Sequence, residues 1–218
     1  MEPARIWIGR GAEERLSELG IPLRHLTRAL EAGDAESRTW TEAAPKNVPG
    51  ITRWGRTNEY LRIGEDWAGV GYENPGGVPM TISPDGSFRL VATTGDEFTG
   101  VDDPKHQPST RYAKGSATRR AIECNGQTSI GELDEEIGEL LEGALSSESL
   151  PTWILLYRVT LEGIWAELSF PRDISEKGFI EGWTERIILP RVEFDTAPID
   201  TSSGHEDGGS FDVAVELR

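Results

Sequence analysis

One cysteine, three histidines and two methionines are all that 218 residues contain of these types. A single thiol, Cys124, excludes an internal disulfide and any zinc site built from cysteines. It reads as a small hydrophobe packed in the interior. His25, His106 and His205 stand far apart without metal-ligand spacing, so neither a structural zinc nor a Ser–His–Asp triad is legible. No resident metal and no cofactor are expected. Long apolar runs are also missing. Ile6-Trp7-Ile8 is too short for a signal peptide, and Trp153 to Tyr157 falls far short of a membrane span. A cytoplasmic protein of bacterial type, without membrane contact, is expected. Positive charge is scarce: 22 Lys and Arg against 38 Asp and Glu give a net charge of −16. That balance opposes general affinity for nucleic acid or anionic membranes and permits a basic protein partner.

Several catalytic signatures are absent as well. Lys114-Gly115-Ser116 lacks the glycine frame of a phosphate-binding P-loop. Gly69-Val70-Gly71-Tyr72-Glu73-Asn74 puts Asn where a dinucleotide loop needs its third glycine. No serine occupies a Gly-x-Ser-x-Gly elbow, and there is no internal repeat.

What is present is a soluble α+β pattern: short N-terminal helices, a mainly antiparallel sheet, and one acidic amphipathic helix packed on it. Residues 1–150 form a mixed region with a central hairpin, and 151–218 a β-rich region expected to belong to the same globular unit. Ala12 to Leu19 and Pro22 to Ala32 read as helices, the second ended by Gly33. Arg24, His25 and Arg28 would face outward if these two formed a DNA-reading pair; an αα-hairpin packed on a sheet is the commoner arrangement. Thr39 to Pro79 is punctuated by Pro and Gly and reads as irregular, with one helix from Thr57 to Ile63. Trp40, Trp54, Tyr60, Trp67 and Tyr72 recur there with Arg53, Arg56 and Arg62, as a loop-region core or as a base-stacking platform.

Met80 to Ser83 and Ser87 to Thr94 read as strands around the turn Pro84-Asp85-Gly86, with Phe88, Leu90 and Ala92 on one face and Arg89, Val91 and Thr93 on the other. A loop of acids follows. The sign then reverses, and Lys114 to Thr118 reads as a loop opening a short helix through Ile122, with Ser116 as its N-cap. Arg111, Lys114, Ser116, Arg119 and Arg120 are the candidate anion-binding residues, because cations beside helix-terminal N–H groups suit a phosphate or carboxylate.

Thr128 to Leu145 reads as an amphipathic helix opened by the capping box Ser129 to Glu132. Its outer carboxylates, Glu135, Glu136 and Glu139 among them, are either a solvated face or a docking surface for a basic partner. Trp153 to Leu161 and Ile164 to Phe170 flank a hairpin turn at Glu162-Gly163. Ile180 to Leu189 and Phe211 to Leu217 supply two more strands, separated by a polar loop from Asp195 to Gly209.

Three functions compete. The leading one is a non-enzymatic binding or accessory protein that contacts an anionic, phosphate-bearing ligand or partner, nucleic acid included, through the basic segment. The second is an acidic protein whose helix mimics nucleic acid for a basic partner. The third is a metal-dependent phosphoesterase or nuclease using Asp85, Asp96 and Glu97 with Lys114. Pro84-Asp85 followed by Glu97 resembles the restriction-nuclease-like active-site pattern. However, Thr99 stands where that pattern carries lysine, and Asp85 lies in a turn.

Overall fold

The structure is a computed structural model that describes residues 3–103, 105–131 and 150–194. In chain order the elements are β1 (Arg5–Trp7), α1 (Gly9–Glu18), α2 (Leu23–Ser37), α3 (Val48–Ile63), β2 (Gly71–Glu73), β3 (Met80–Ile82), β4 (Arg89–Thr94), α4 (Ser116–Gly131), β5 (Thr152–Thr160), β6 (Gly163–Ile174) and β7 (Ile180–Ile188). The strands form one sheet in the order β1-β7-β6-β5-β4-β3-β2. It is mostly antiparallel, but β4 runs parallel to β5, and β1 parallel to β7. The expected α+β class is what the chain adopts.

Both faces of the sheet are covered. On one, Phe88, Leu90 and Ala92 join Trp153, Leu155 and Tyr157 beneath Leu16 of α1, Leu26 and Leu30 of α2 and Leu61 of α3. On the other, Val91, Ile154 and Leu156 pack against Ala121 and Ile122 of α4 with Ile180 and Trp183. The period-two alternation of β4 and β5 therefore divides two apolar sets between two helical layers, each fully buried Leu or Ile contributing ~1.5–3 kcal/mol.

The β3–β4 hairpin forms as its turn chemistry dictates. The Ser83 hydroxyl donates to Asp85 Oδ1 at 2.6 Å, the Ser87 N–H donates to the same oxygen at 3.1 Å, and Gly86 takes φ +72°. The β5–β6 turn sits one residue earlier than expected. Thr160 pairs with Gly163, so Leu161 and Glu162 are the loop and Leu161 is fully exposed.

Two helices depart from the expected boundaries. α2 passes through Gly33 to Ser37. Gly33 is an approach point between helices instead of a cap: a Cβ there would strike the Thr57 hydroxyl and lie 2.7 Å from the Arg53 carbonyl. α3 begins at Val48, well before Thr57, with Pro49 in its first turn, where the missing N–H has no helical partner to lose. Its packing on α2 outweighs the unfavourable propensity of Gly50 and Gly55.

α4 likewise runs past Ile122 to Gly131 and begins at Ser116 itself. Ser129 is thus inside a helix and opens none. The greater part of the helix expected to run to Leu145, the strand at 211–217 and the loop at 195–209 lie outside the described residues. Among the described residues, no helix is long and apolar enough to cross a membrane.

Candidate anion-binding site

Chain connectivity brings three remote segments to the end of the parallel pair β4/β5. Thr93 and Thr94 end β4, and Tyr157 and Val159 are near the end of β5. The turn before α3 and its first two turns contribute Lys46, Asn47, Arg53 and Trp54, and the loop ahead of α4 contributes Arg111, Tyr112 and Lys114. They line a cleft of about 730 Å³ that carries four cationic side chains and, among the described residues, no carboxylate. Ile51, Trp54 and Tyr112 on its walls are 57%, 38% and 63% exposed, so the cationic groups share the cleft with uncovered apolar surface. The N-terminus of α3 adds the positive end of a 16-residue helix.

The loop from Gly95 to Lys114 is fixed by the sheet it crosses. Glu167 of β6 and Arg186 of β7 form a wholly buried ion pair, with Arg186 Nη2 2.6 Å from Glu167 Oε2. The Gly100 N–H donates to Glu167 at 2.9 Å, and Arg186 donates to the Val101 carbonyl at 3.0 Å. Arg158 donates to the Thr99 carbonyl at 3.0 Å, and Trp183 Nε1 to the Pro108 carbonyl at 2.7 Å. Nearer the cleft, the Arg111 N–H donates to Thr94 and the Lys114 N–H to Gly178. These bonds give the cationic loop side chains a defined origin on the sheet.

Arg53 is fixed from behind: Asp34 of α2 lies 2.9 Å from its guanidinium and also pairs with Arg38. Lys46, Arg111 and Lys114 form no ion pair among the described residues. Lys114 is the deepest of the three. Its Nζ donates to the Thr93 hydroxyl at 2.6 Å, and burial lowers its ammonium from the ordinary 10.5 to about 8. Burial also pushes Tyr157 upward, so its phenol stays protonated near neutral pH, despite the opposing pull of Thr94 and Arg53. Beyond Lys114 and Thr93 opens a second hollow of about 180 Å³, lined by Val78, Val91, Ala113 and Ile154 together with polar Thr118, with Trp54, Thr93 and Lys114 shared between the two.

The five cationic-segment candidates are divided by the fold. Arg111 and Lys114 line the cleft. Ser116 is exposed at the start of α4, outside the cleft lining. Arg119 turns to the carbonyls of Ser175 at 3.2 Å and Glu176 at 3.3 Å. Arg120 borders a separate hollow of about 200 Å³ beside Glu123 and Cys124.

Asp85 is occupied with its own turn, where the Ser83 and Ser87 donors hold it below the usual carboxylate range. Asp96 accepts from the N–H groups of Phe98 at 3.1 Å and Ser109 at 2.9 Å, and burial raises it above that range. Glu97 is exposed. Among the described residues, no group of three or more His, Cys, Asp or Glu is placed to hold a metal ion. Glu135, Glu136 and Glu139 lie outside the described residues.

Of the aromatic and arginine residues between 40 and 72, only Arg53 and Trp54 reach the cleft. Trp67 is buried, Arg56 pairs with Glu36 and Glu59, and Arg62 lies over the Tyr72 ring at 5.0 Å. Sequence reasoning passed over Lys46, Thr93 and Tyr157 as site residues, since only the parallel pairing of β4 with β5 and the position of α3 beside them bring the three to one place. Comparisons with protein-family models, curated proteins and solved structures return no match.

Proposed function

We propose that the protein binds a small anionic ligand, phosphate-bearing or carboxylate-bearing, in the cleft between α3 and the 111–114 loop. The observation that carries this reading is the make-up of the cleft: four cations and, among the described residues, no acid, in a chain of net charge −16. Eleven arginines among the described residues pair with carboxylates, Arg15 with Glu185 and Arg28 with Asp66 among them. Lys46, Arg111 and Lys114 are instead arranged around open volume. Trp54 and Tyr112 offer ring faces to a planar or apolar part of the ligand. The protein acts as a binding or accessory protein.

Calorimetric titration with inorganic pyrophosphate tests the reading. Binding is expected at low salt, weakening as ionic strength rises. Arg111→Ala and Lys46→Ala should each weaken it by about tenfold, since a charge-assisted bond contributes ~1.5–3 kcal/mol. Heat at the level of dilution for the native protein, or affinity unchanged in both variants, overturns the proposal. A parallel titration with a short single-stranded oligonucleotide shows whether the same cleft accepts a polymer.

A further inference from the structure

We propose that Lys114 is an amine nucleophile that captures the carbonyl carbon of an anionic aldehyde or keto acid as a reversible imine. The inference rests on the cleft being an anion site and names the reactive group of its ligand.

Lys46, Lys105, Lys114 and Lys177 are the only lysines in a chain with eighteen arginines. Two of these four stand in the one cleft. Arginine serves ion pairing and bidentate recognition better, and among the described residues it, and no lysine, makes the ion pairs apart from His106 with Asp103. What lysine alone offers is a proton it can lose. Lys114 is also the cleft cation placed to use that property. It is half-buried, its Nζ donates to a neutral hydroxyl, Thr93, and no carboxylate among the described residues holds its proton. With its ammonium near 8, about a tenth of the side chain is free amine at pH 7, roughly 300-fold more than for an ordinary lysine. A less basic amine is a weaker nucleophile, so the net advantage is roughly tenfold.

The surroundings suit both ends of such a ligand. Arg111, Lys46 and Arg53 supply positive charge for its anionic group, while Val78, Val91 and Ile154 in the mixed polar and apolar hollow beyond Lys114 receive a hydrocarbon or aromatic portion. The amine lone pair forms the N–C bond as the carbonyl π pair moves onto oxygen. The oxygen takes protons in the carbinolamine and leaves as water while the C=N bond forms. From ammonium and aldehyde the products are a protonated imine and one water, with no oxidant or reductant. Hydrolysis reverses the step.

Pyridoxal 5′-phosphate, an anionic aryl aldehyde, is the probe. The full chain is incubated with it at pH 7.5, reduced with borohydride, and its lysines are mapped by peptide mass spectrometry. The expected result is at least tenfold more label on Lys114 than on the exposed Lys105 and Lys177, competed by inorganic pyrophosphate. Labelling by pyridoxal, which lacks the phosphate, should be at least tenfold lower at Lys114. Lys114→Arg should lose the label while unfolding as cooperatively as the native chain. Label spread evenly, or concentrated on Lys46, overturns the imine. If pyrophosphate binds the native protein in that case, the anion site stands without it; if pyrophosphate also fails to bind, both are overturned.

Discussion

Lys114 makes the chain less stable at neutral pH than it would be without that charge, and the amount can be worked out. Folding lowers its ammonium from 10.5 to about 8. Below pH 8 the group is charged in both states, and holding the charge in the cleft costs the fold about 3 kcal/mol, at 1.36 kcal/mol per unit. Between pH 8 and 10.5 the unfolded chain binds more protons than the folded one, so this group's contribution to stability rises with pH. By pH 10 the cost has shrunk to about 1 kcal/mol.

Lys114→Met removes the charge and keeps most of the side-chain volume. The variant should be more stable than the native protein at pH 7, by about 1–3 kcal/mol once the lost bond to Thr93 is counted. That advantage should shrink by about 2 kcal/mol at pH 10. Equilibrium urea denaturation of both proteins at the two pH values measures it, and all other titrating groups cancel in the difference. A variant less stable at pH 7, or an advantage that does not change with pH, refutes the reasoning.

Other substitutions probe the frame of the cleft. Glu167→Gln and Arg186→Met each leave a fully buried partner without its counter-charge, so each should lower stability by about 3–5 kcal/mol in urea denaturation; the double variant should lose less than the sum, and single losses under ~1 kcal/mol would mean the pair is dispensable. Gly33→Ala gains ~1 kcal/mol of helix propensity, yet its Cβ meets the Thr57 hydroxyl and the Arg53 carbonyl, so α3 must move. A lower Tm together with weaker pyrophosphate binding is expected, and a raised Tm would show the helices part freely. Asp85→Asn and Glu97→Gln should leave pyrophosphate affinity unchanged, with or without added magnesium. A tenfold loss in either would bring the metal-assisted phosphoryl reading back.

Local chemistry made much of the fold legible. The Pro84-Asp85-Gly86 turn, the alternation of Phe88, Leu90 and Ala92, and the apolar face read from Trp153 to Leu161 all report contacts within a few residues or one strand period, and the structure contains them except at Leu161, which is exposed in the β5–β6 loop. What failed to show was long-range. Nothing near Arg5 announces that it pairs with Glu185, and nothing near Thr94 announces a parallel neighbour at Tyr157. Pro49 and Gly50 read as breakers because their role depends on where the helix begins. Gly33 read as a stop because its partner, Thr57, lies in another helix. The site was half legible for the same reason: Arg111 and Lys114 stood out against the surrounding acids, whereas Lys46, Arg53 and Tyr157 become site residues only once α3 and β5 converge.

That convergence also explains why, among the described residues, no acid lines the cleft of an acidic chain. Four carboxylates of neighbouring elements are committed to ion pairs away from the cleft lining. Asp34 takes both Arg38 and Arg53 from the α2 side, Glu36 and Glu59 take Arg56, and Glu167 is shut beneath the loop with Arg186. Arg53 therefore enters the cleft partly neutralised and held by Asp34, while Lys46, Arg111 and Lys114 bring charge that no carboxylate among the described residues pairs. An anion competing for Arg53 need not break its bond to Asp34, because a guanidinium has five N–H donors. If an anion occupies the cleft as proposed, this division would give Arg53 the selectivity for shape and the other three the strength of attraction. Removing Asp34 should then loosen the position of Arg53 and blur discrimination between anions of different shape before it abolishes binding.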